Sequence, residues 1–304
     1  MGSPMYAALL TRIAEDVADD GVCARVLRGH EHDPGPSALG LRLLGAVHRL
    51  VLSGEASGLA RFYPSMGGSW ALDAAWPHVL ETLDSRGDDV RRFLGLPPQT
   101  NEVGRAAALM GGLQALTAAR RMPIRLVELG ASAGLNLLFD RYRFLGGEGD
   151  SVGPDDSPVV LDGASRGVHP APGVRPEIRE RCGCDVAPVD PTSEEGRLRV
   201  LSYVWPDQAE RVERLRGALA IAGEEPVRVV TCTGSEALSS LRLVSGTTTE
   251  ASSESSPFAR LYFEPVRRTP GSPHEFLVVL QSWPGGARRI LGSAPPHGLP
   301  MTWE

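Results

Sequence analysis

Residues 124–136, with the sequence IRLVELGASAGLN, constrain the fold of this chain more than any other segment. A short apolar run of strand composition ends in a glycine-rich turn, and a segment with apolar residues at helical spacing follows. Glycines let a ligand approach the main chain closely, and the first amides of a helix attract a carboxylate or a phosphate. The segment therefore predicts an α/β protein with a ligand site at residues 128–134.

The turn fits the pattern E-x-G-x-small-x-G, which favours binding of S-adenosylmethionine. The Glu128 carboxylate would accept a hydrogen bond from the amino group of this cofactor, directly or through water. A second carboxylate, at Asp185 or alternatively at Asp190, would accept the ribose hydroxyls. The predicted cofactor-binding residues are Glu128, Gly130, Ala131, Ser132, Gly134, Asn136, Asp185, Asp190, Asn101 and Arg105.

The same turn admits other interpretations. GASAG matches the G-x-S-x-G nucleophile elbow of serine hydrolases, with Ser132 as the nucleophile. Its partners would come from Asp190 or Asp207 and from His274 or His297. The elbow needs several preceding strands, however, and the sequence before it is helical in pattern. A dinucleotide loop requires G-x-G-x-x-G, which Ser132 interrupts, and a tight turn without a ligand is the structural alternative.

The periodicity of apolar residues predicts helices first and a mixed core afterwards. Residues 1–122 are expected to form a helical cap region, with helices at 6–26, 37–52, 70–84, 88–94 and 101–121. Residues 123–304 are expected to form the core, with an insertion at 146–176 and a mobile loop at 245–257. Helix is predicted at 197–222, interrupted at Pro206. Strands are predicted at IRLVEL, PVVLD, a run ending near Asp185, VRVVTCT, ARLYFEPVRR and EFLVVLQSW, with RRILGSA as a last edge strand.

Composition limits the class of protein. The formal net charge of −6 argues against a general nucleic-acid-binding surface. Four cysteines in 304 residues form no disulfide framework, so a reducing, cytoplasmic setting is expected. No export signal is recognised, and no stretch approaches the ~18 apolar residues of a membrane span. We therefore expect a small-molecule substrate, with no metal, nucleic-acid or membrane partner, and the sequence leaves the oligomeric state open.

Several longer segments resemble the bacterial DUF2332 family, whose function is unknown. They are YPSMGG (63–68), QTNEVGRAAAL (99–109), VELGASAGLNLLFDRYRF (127–144), RCGCDVAPVD (181–190) and LSYVWPDQAERVERL (201–215). The resemblance implies a Rossmann-like class I methyltransferase core with an N-terminal helical region. The sequence departs from the family after VRVVTC, where a short polar segment replaces an apolar strand and Glu236 alone could replace the acid that contacts adenine.

These observations predict a methyltransferase that uses S-adenosylmethionine and acts on a small molecule. Because the methyl group moves by direct displacement, the protein would mainly align the two reactants. His297, Asp207 and Tyr63 are the candidate catalytic residues. The alternatives are a serine hydrolase that uses Ser132 and a non-catalytic binding protein with a degraded pocket.

Overall fold

The computed structural model describes residues 2–146, 151–167, 171, 173–237, 258–266, 276–283 and 287–303. Contacts within the chain divide it into two compact units. The first comprises Met1–Thr100 and Val189–Arg216, and the second comprises Asn101–Pro188 and Gly217–Glu304. The sequence-based boundary at residue 122 is a different division and stays a prediction. The loop predicted at residues 245–257 lies outside the described residues.

The first unit is helical, as the periodicity predicts. Its helices are α1 (Pro4–Ala18), α2 (Val22–Leu27), α3 (Leu39–Leu52), α4 (Ser57–Ala60), α5 (Leu72–Ser85), α6 (Gly87–Leu94) and α8 (Glu194–Ser202), and α9 (Ala209–Glu224) begins in it. In the second unit, α7 (Ala106–Ala119) follows a 3-10 turn at Val103–Arg105. None of the helices in the described ranges is both long and apolar enough to cross a membrane.

The helix predicted at residues 6–26 is divided into two. Asp20 adopts a left-handed conformation with φ of 54°, which ends α1. The Asp16 carboxylate then accepts a hydrogen bond from the Cys23 amide at 2.7 Å and begins α2. A Cβ at Gly21 would lie 2.3 Å from this carboxylate, so a larger residue there would displace the Asp16 side chain. The apolar spacing continues across the break and hides it from a periodicity argument.

The core of the first unit is built around α3. Its sequence places apolar residues three and four positions apart, and this face is the one that the fold buries. Leu43, Leu44, Val47 and Leu50 are at most 1% exposed. Residues of α1, α5 and α6 complete the same apolar cluster, including Leu9, Leu83 and Leu94. Burial of this stripe confirms the predicted helix at residues 37–52.

The second unit contains three separate sheets. Its strands are β1 (Ile124–Leu129), β2 (Arg143–Leu145), β3 (Ser151–Val152), β4 (Val160–Leu161), β5 (Ser165–Gly167), β6 (Ile178–Asp185), β7 (Val229–Thr231), β8 (Phe258–Pro265), β9 (Phe276–Trp283), β10 (Ala287–Ala294) and β11 (Met301–Trp303). β1, β6 and β7 form a parallel sheet in the order β1-β6-β7. The predicted strand that ends near Asp185 is confirmed as β6.

The other two sheets have different topologies. β2 lies between β3 and β4, and a five-stranded sheet has the order β5-β11-β10-β9-β8. In the larger sheet β8, β9, β10 and β11 pair antiparallel, and β5 adds parallel to β11. The prediction that RRILGSA forms an edge strand is wrong, because β10 pairs with a neighbour on both sides.

The predicted Rossmann-like class I methyltransferase core is also wrong. Among the described residues only three strands form an all-parallel sheet, and the other strands belong to sheets of three and five strands. The physical reason lies in the connections. A parallel crossover needs about a dozen residues or more, whereas residues 266–275 and 284–286 are all that separate β8, β9 and β10. These short links impose antiparallel pairing on β8, β9 and β10, so these strands do not extend the parallel sheet of β1, β6 and β7.

The prediction of an α-helix after the glycine turn is also wrong. Residues Leu135–Arg141 form a short 3-10 helix, and Leu138 has non-helical dihedral angles. The chain then enters β2 at Arg143 instead of continuing as a helix. LNLLFDRYRF has apolar residues at spacings that fit a helix over its first half only. A seven-residue 3-10 helix lacks the aligned dipole on which the expected anion site depended.

Candidate functional site

Three residues with positive φ shape the turn after β1. Gly130, Ser132 and Gly134 have φ values of 72°, 53° and 73°. Glycine adopts this left-handed conformation at little cost, but a serine does so only against steric strain. Ser132 is also buried, with 4% of its surface exposed. The turn therefore holds a strained, buried serine at its centre, which is a common property of functional sites.

Close packing explains why glycines flank the turn. A Cβ at Gly183 of β6 would lie 2.5 Å from the Ala131 Cβ, and one at Gly134 would lie 2.9 Å from Val229. Ala131 and Ala133 are themselves buried. The small residues of GASAG thus pack against the neighbouring parallel strands, in addition to any space that they leave for a ligand.

The turn amides donate to acceptors within the protein. The Gly130 and Ala131 amides bond to the Cys184 carbonyl oxygen at 2.8 and 3.0 Å, and the Gly134 amide bonds to the Ala131 carbonyl at 2.7 Å. The Ser132 amide donates to Asp185 Oδ2 at 2.8 Å. Four of the amides that would hold a phosphate are therefore already used. This disfavours a dinucleotide or phosphate loop of the kind that glycine-rich turns often form.

Asp185 lies at the end of β6 and organises the site. Its Oδ2 accepts from Ser132, and its Oδ1 accepts from the Ala187 amide at 2.9 Å. The side chain is buried, and β6 runs beside β1 with Glu128 opposite Gly183. The structure therefore brings Asp185 to the turn, as the sequence predicts, and gives its carboxylate a structural task that the sequence did not indicate.

Glu128 is the most perturbed group of the site. The residue is half-buried, but its Oε2 atom is fully buried and has no hydrogen-bond partner among the described residues. The pKa of Glu128 is raised to about 7, mainly by burial and to a smaller extent by the negative charge of Asp185. A hydrogen bond from Asn136 and the positive charge of Arg105 act in the opposite direction. The carboxyl group is thus poised to titrate near neutral pH.

Two more buried oxygens accompany Glu128. Asn136 Oδ1 and Ser132 Oγ are buried without a hydrogen-bond partner in the part of the chain that the structure describes. Such atoms are uncommon in native proteins, where nearly all buried polar groups have a hydrogen-bond partner. Glu128, Asn136 and Ser132 together form what we call the Glu128 cluster, a set of acceptors at the carboxyl end of a parallel strand.

The segment before α7 contacts both the turn and the C-terminal segment. Asn101 Oδ1 accepts a hydrogen bond from the Leu135 amide at 3.1 Å. Arg105, which is exposed, donates from Nε to the Pro296 carbonyl at 3.3 Å. A Cβ at Gly104 would lie 2.3 Å from the His297 carbonyl oxygen, so the two segments are in close contact. Asn101 therefore contacts the residue that follows the turn, and Arg105 contacts the C-terminal segment; their binding of a cofactor stays a prediction.

His297 has a partner that sequence reasoning did not assign to it. Its Nδ1 lies 3.3 Å from Glu102 Oε2, and Glu102 Oε1 accepts from the Gly104 amide at 3.2 Å. Glu102 is buried, whereas a third of the His297 side chain is exposed. The residues are 195 positions apart, and no local pattern could have joined them. The only sequence signals were that His297 is itself a candidate catalytic residue and that Glu102 lies between the predicted residues Asn101 and Arg105.

The structure places three predicted residues in the first unit, each with a local role. Tyr63 is fully buried and packs edge-on against Trp70. Asp207 Oδ2 accepts from Ser3 Oγ at 2.8 Å and from the Met5 amide at 3.1 Å, at the start of α1. Asp190 Oδ1 accepts from the amide and the hydroxyl of Thr192, and these bonds lower the pKa of Asp190.

The serine triad of the alternative interpretation, with Ser132 as its nucleophile, is not assembled among the described residues. Ser132 Oγ has no hydrogen-bond partner, so it contacts neither an imidazole nor a carboxylate at bonding distance. His274 lies outside the described residues. Within the ranges that the structure describes, no group of three or more His, Cys, Asp or Glu side chains could hold a metal ion.

Comparison with known proteins adds a family assignment. No curated protein and no solved structure matches the chain significantly. A family model described as an uncharacterized protein conserved in bacteria (DUF2332) matches residues 1–248, most of the 304-residue chain. The resemblance predicted from the segments between residues 63 and 215 is therefore confirmed. The chain belongs to the bacterial DUF2332 family.

Proposed function

We propose that the Glu128 cluster binds S-adenosylmethionine and that the protein transfers the methyl group to a small molecule. The observation that carries the proposal is the buried, unpartnered Glu128 Oε2 beside Asn136 at the end of β1. A buried carboxylate oxygen without a hydrogen-bond partner is costly, and a ligand ammonium group relieves that cost. The proposal rests on these side chains and not on a methyltransferase fold.

The donor and acceptor inventory of the site fits this ligand. S-adenosylmethionine presents an ammonium group and two ribose hydroxyls, all of which donate hydrogen bonds, and the Glu128 cluster consists of oxygen atoms that accept them. Each carboxylate oxygen has two acceptor positions, so Asp185 retains capacity after it binds two amides. Arg105 supplies a positive charge for the carboxylate of the methionine end.

The residues of the chain would bind the cofactor and align it with the methyl acceptor, and one residue would take a proton from that acceptor. When bound, the cofactor supplies an electrophilic methyl group. Alignment of this group with the acceptor accounts for most of the catalytic effect in a direct displacement. His297, which Glu102 orients from 3.3 Å, is the residue that we assign to take a proton from the acceptor.

A serine hydrolase centred on Ser132 is the second candidate. The positive φ of Ser132 favours it, because a nucleophile elbow holds its serine on a strained turn between a strand and a helix. The unpartnered Oγ argues against it, since the nucleophile would need an adjacent base. A binding protein without catalysis is the third candidate.

Calorimetry with S-adenosylmethionine and its demethylated product tests the proposal. Both compounds carry the ammonium group and the ribose, so both should bind. Glu128→Gln should weaken both by at least about tenfold, because a hydrogen bond to a charged group contributes roughly 1.5–3 kcal/mol. Glu210→Gln, an exposed glutamate, is the matched control and should bind normally. If neither compound binds, the proposal is overturned. If S-adenosylmethionine binds but no methyl acceptor in a broad panel is methylated, the protein binds the cofactor without catalysis.

The pH dependence of binding gives a second measurement. An ammonium group binds the ionised form of Glu128, whose pKa is about 7 in the free protein. Below that pH the site must release a proton to bind, and above about pH 8 the ligand amino group itself loses its charge. Affinity should therefore be greatest between about pH 7 and 8 and fall several-fold by pH 6, and this loss should be absent in Glu128→Gln.

A further inference from the structure

A serine and a histidine of the first unit form a hydrogen-bonded pair that the proposed function does not use. His48 Nε2 lies 2.8 Å from Ser65 Oγ, and His48 Nδ1 lies 3.1 Å from the Ser202 carbonyl oxygen. A carbonyl oxygen only accepts hydrogen bonds, so Nδ1 carries the ring proton and Nε2 is the acceptor. The Ser65 hydroxyl therefore donates to Nε2, the arrangement of a serine nucleophile and its base. We call these residues the Ser65 pair.

The local sequence holds Ser65 in this position. YPSMGG forms a 3-10 turn at Pro64–Met66, and Gly67 closes it with φ of 79°. A Cβ at Gly68 would lie 2.3 Å from the Arg61 carbonyl oxygen, so the chain passes too close for another residue. Tyr63 packs its ring 5.4 Å from that of His48. The serine thus sits on a tight turn whose neighbours fix its direction.

His48 is suited to accept a proton at neutral pH. It lies on α3 and is 1% exposed, and burial lowers its pKa to about 4. The imidazole is therefore uncharged at pH 7, with its Nε2 lone pair directed at Ser65. A base with so low a pKa is weaker than the ideal for catalysis near pH 7 and predicts slow turnover. Covalent capture of Ser65 is for this reason a more direct test than turnover alone.

Ser65 opens onto a cleft of about 450 Å³ within the first unit. This volume falls in the range of small-molecule sites, which is roughly 300–1,000 Å³. Apolar groups from the turn and from α9 line much of it, namely Pro64, Met66, Ala209 and Val212. Arg216 also lines the cleft, donates from Nη2 to the Ser65 carbonyl at 3.1 Å, and pairs through Nη1 with Glu213 at 2.8 Å.

We propose that the Ser65 pair hydrolyses a small carboxylic ester with a short apolar acyl group bound in this cleft. Ser65 Oγ bonds to the ester carbonyl carbon as its proton passes to His48 Nε2, and that proton leaves with the alcohol when the ester C–O bond breaks. Water then attacks the acyl-serine, gives a proton to His48, and releases the acid as Ser65 regains the proton. Arg216, beside Ser65, stabilises the negative carbonyl oxygen in both steps.

Labelling with a fluorophosphonate probe tests the proposal on the full chain. We expect one adduct, located at Ser65 by peptide mass spectrometry, and none in Ser65→Ala. Ser69→Ala replaces an exposed serine four residues away and should label like the wild type. Hydrolysis of p-nitrophenyl acetate should be lost in Ser65→Ala and slowed about 10²-fold in Arg216→Gln, the usual effect of removing one donor to the oxyanion.

Two results would overturn the proposal. One is the absence of an adduct on the folded wild-type protein, and the other is an adduct on a different serine, Ser132 included. Ser65→Ala removes a single buried oxygen, so we expect the variant to fold. Its melting temperature checks this. Ligand binding at Glu128, measured on the same variant, should be unchanged. These measurements therefore test the two proposals independently of each other.

Discussion

The Ser65 pair and the Glu128 cluster are both buried, but their hydrogen bonds differ. Both ring nitrogens of His48 have a partner, at Ser65 and at the Ser202 main chain. In the Glu128 cluster, by contrast, Glu128 Oε2, Asn136 Oδ1 and Ser132 Oγ lack a partner in the described ranges. A satisfied network fixes geometry before any ligand arrives, whereas unsatisfied oxygens keep a desolvation cost that a ligand relieves.

This difference predicts opposite responses to mutation. Removing one member of a satisfied pair leaves the other member unpaired, and the protein loses stability. Removing a buried charge that lacks some of its hydrogen-bond partners relieves the desolvation cost of that charge, so the folded protein gains stability. The same substitution should lower the affinity for the proposed ligand. The following four variants test this contrast, in order of expected effect.

His48→Ala should destabilise the protein by about 3–4 kcal/mol, because it leaves a cavity and two buried oxygens without a partner. Denaturant unfolding followed by circular dichroism measures the change. His32→Ala, at an exposed position, serves as the control and should shift the free energy of unfolding by less than about 0.5 kcal/mol. A loss below about 1 kcal/mol in His48→Ala would mean that water replaces the imidazole, and the contrast would fail.

Glu128→Gln should stabilise the protein at pH 8 by about 2–3 kcal/mol. The folded pKa of Glu128 is about 7 and its ordinary value is 4.5, so the folded state binds the extra proton between these pH values. Wild-type stability therefore falls as the pH rises from 4.5 to 7, and the advantage of the variant grows over the same range. Thermal melts at pH 5 and pH 8 measure it. Equal shifts at both pH values would contradict the assignment.

Asp185→Asn should destabilise the protein by about 1–2 kcal/mol, since an amide side chain offers one carbonyl oxygen where the carboxylate binds two amides. The sign is opposite to that of Glu128→Gln, although both variants neutralise a buried carboxylate beside the same turn. Urea unfolding at pH 8 compares them directly. A stabilised Asp185→Asn would show that repulsion from Glu128 outweighs the two hydrogen bonds.

Ser132→Gly should have the smallest effect, a stabilisation of about 0.5 kcal/mol. Glycine relieves the strain of a positive φ and removes an unpartnered hydroxyl, but it adds entropy to the unfolded chain. The melting temperature, measured beside that of Ser132→Ala, separates the strain from the hydroxyl. A clear loss of stability in both variants would indicate that Ser132 Oγ has a partner in solution.

Local patterns were sufficient to predict individual elements. The helical face of α3, the strand β1 at residues 124–129 and the end of β6 near Asp185 all follow from apolar spacing and turn residues. The same patterns predicted that Glu128 and Asp185 lie at the ends of neighbouring strands of one sheet. They failed at residues 135–145, where tertiary packing ends the helix early and begins β2. They failed again at β10, which was predicted at the edge of a sheet but pairs with β9 on one side and β11 on the other.

The sequence did not indicate which distant side chains contact each other. The match of GASAG to a nucleophile elbow drew attention to Ser132, whereas the structure shows a hydrogen bond between Ser65 in YPSMGG and His48. His48 lies on α3 and Ser65 on a separate turn, and only the fold decides which ring nitrogen faces which hydroxyl. Glu102 and His297 illustrate the same limit over a longer separation.

The bonds that shape the glycine turn have a consequence for how the site comes into existence. The amides of residues 130–132 find their acceptors at residues 184 and 185, on a strand that is added about fifty residues later. Closing so long a loop is slow compared with forming a local turn. A fragment that stops before β6 would carry the whole GASAG segment and still lack the acceptors that give it its shape. During synthesis, the ligand binding that we propose would therefore begin only once β6 had emerged and paired with β1.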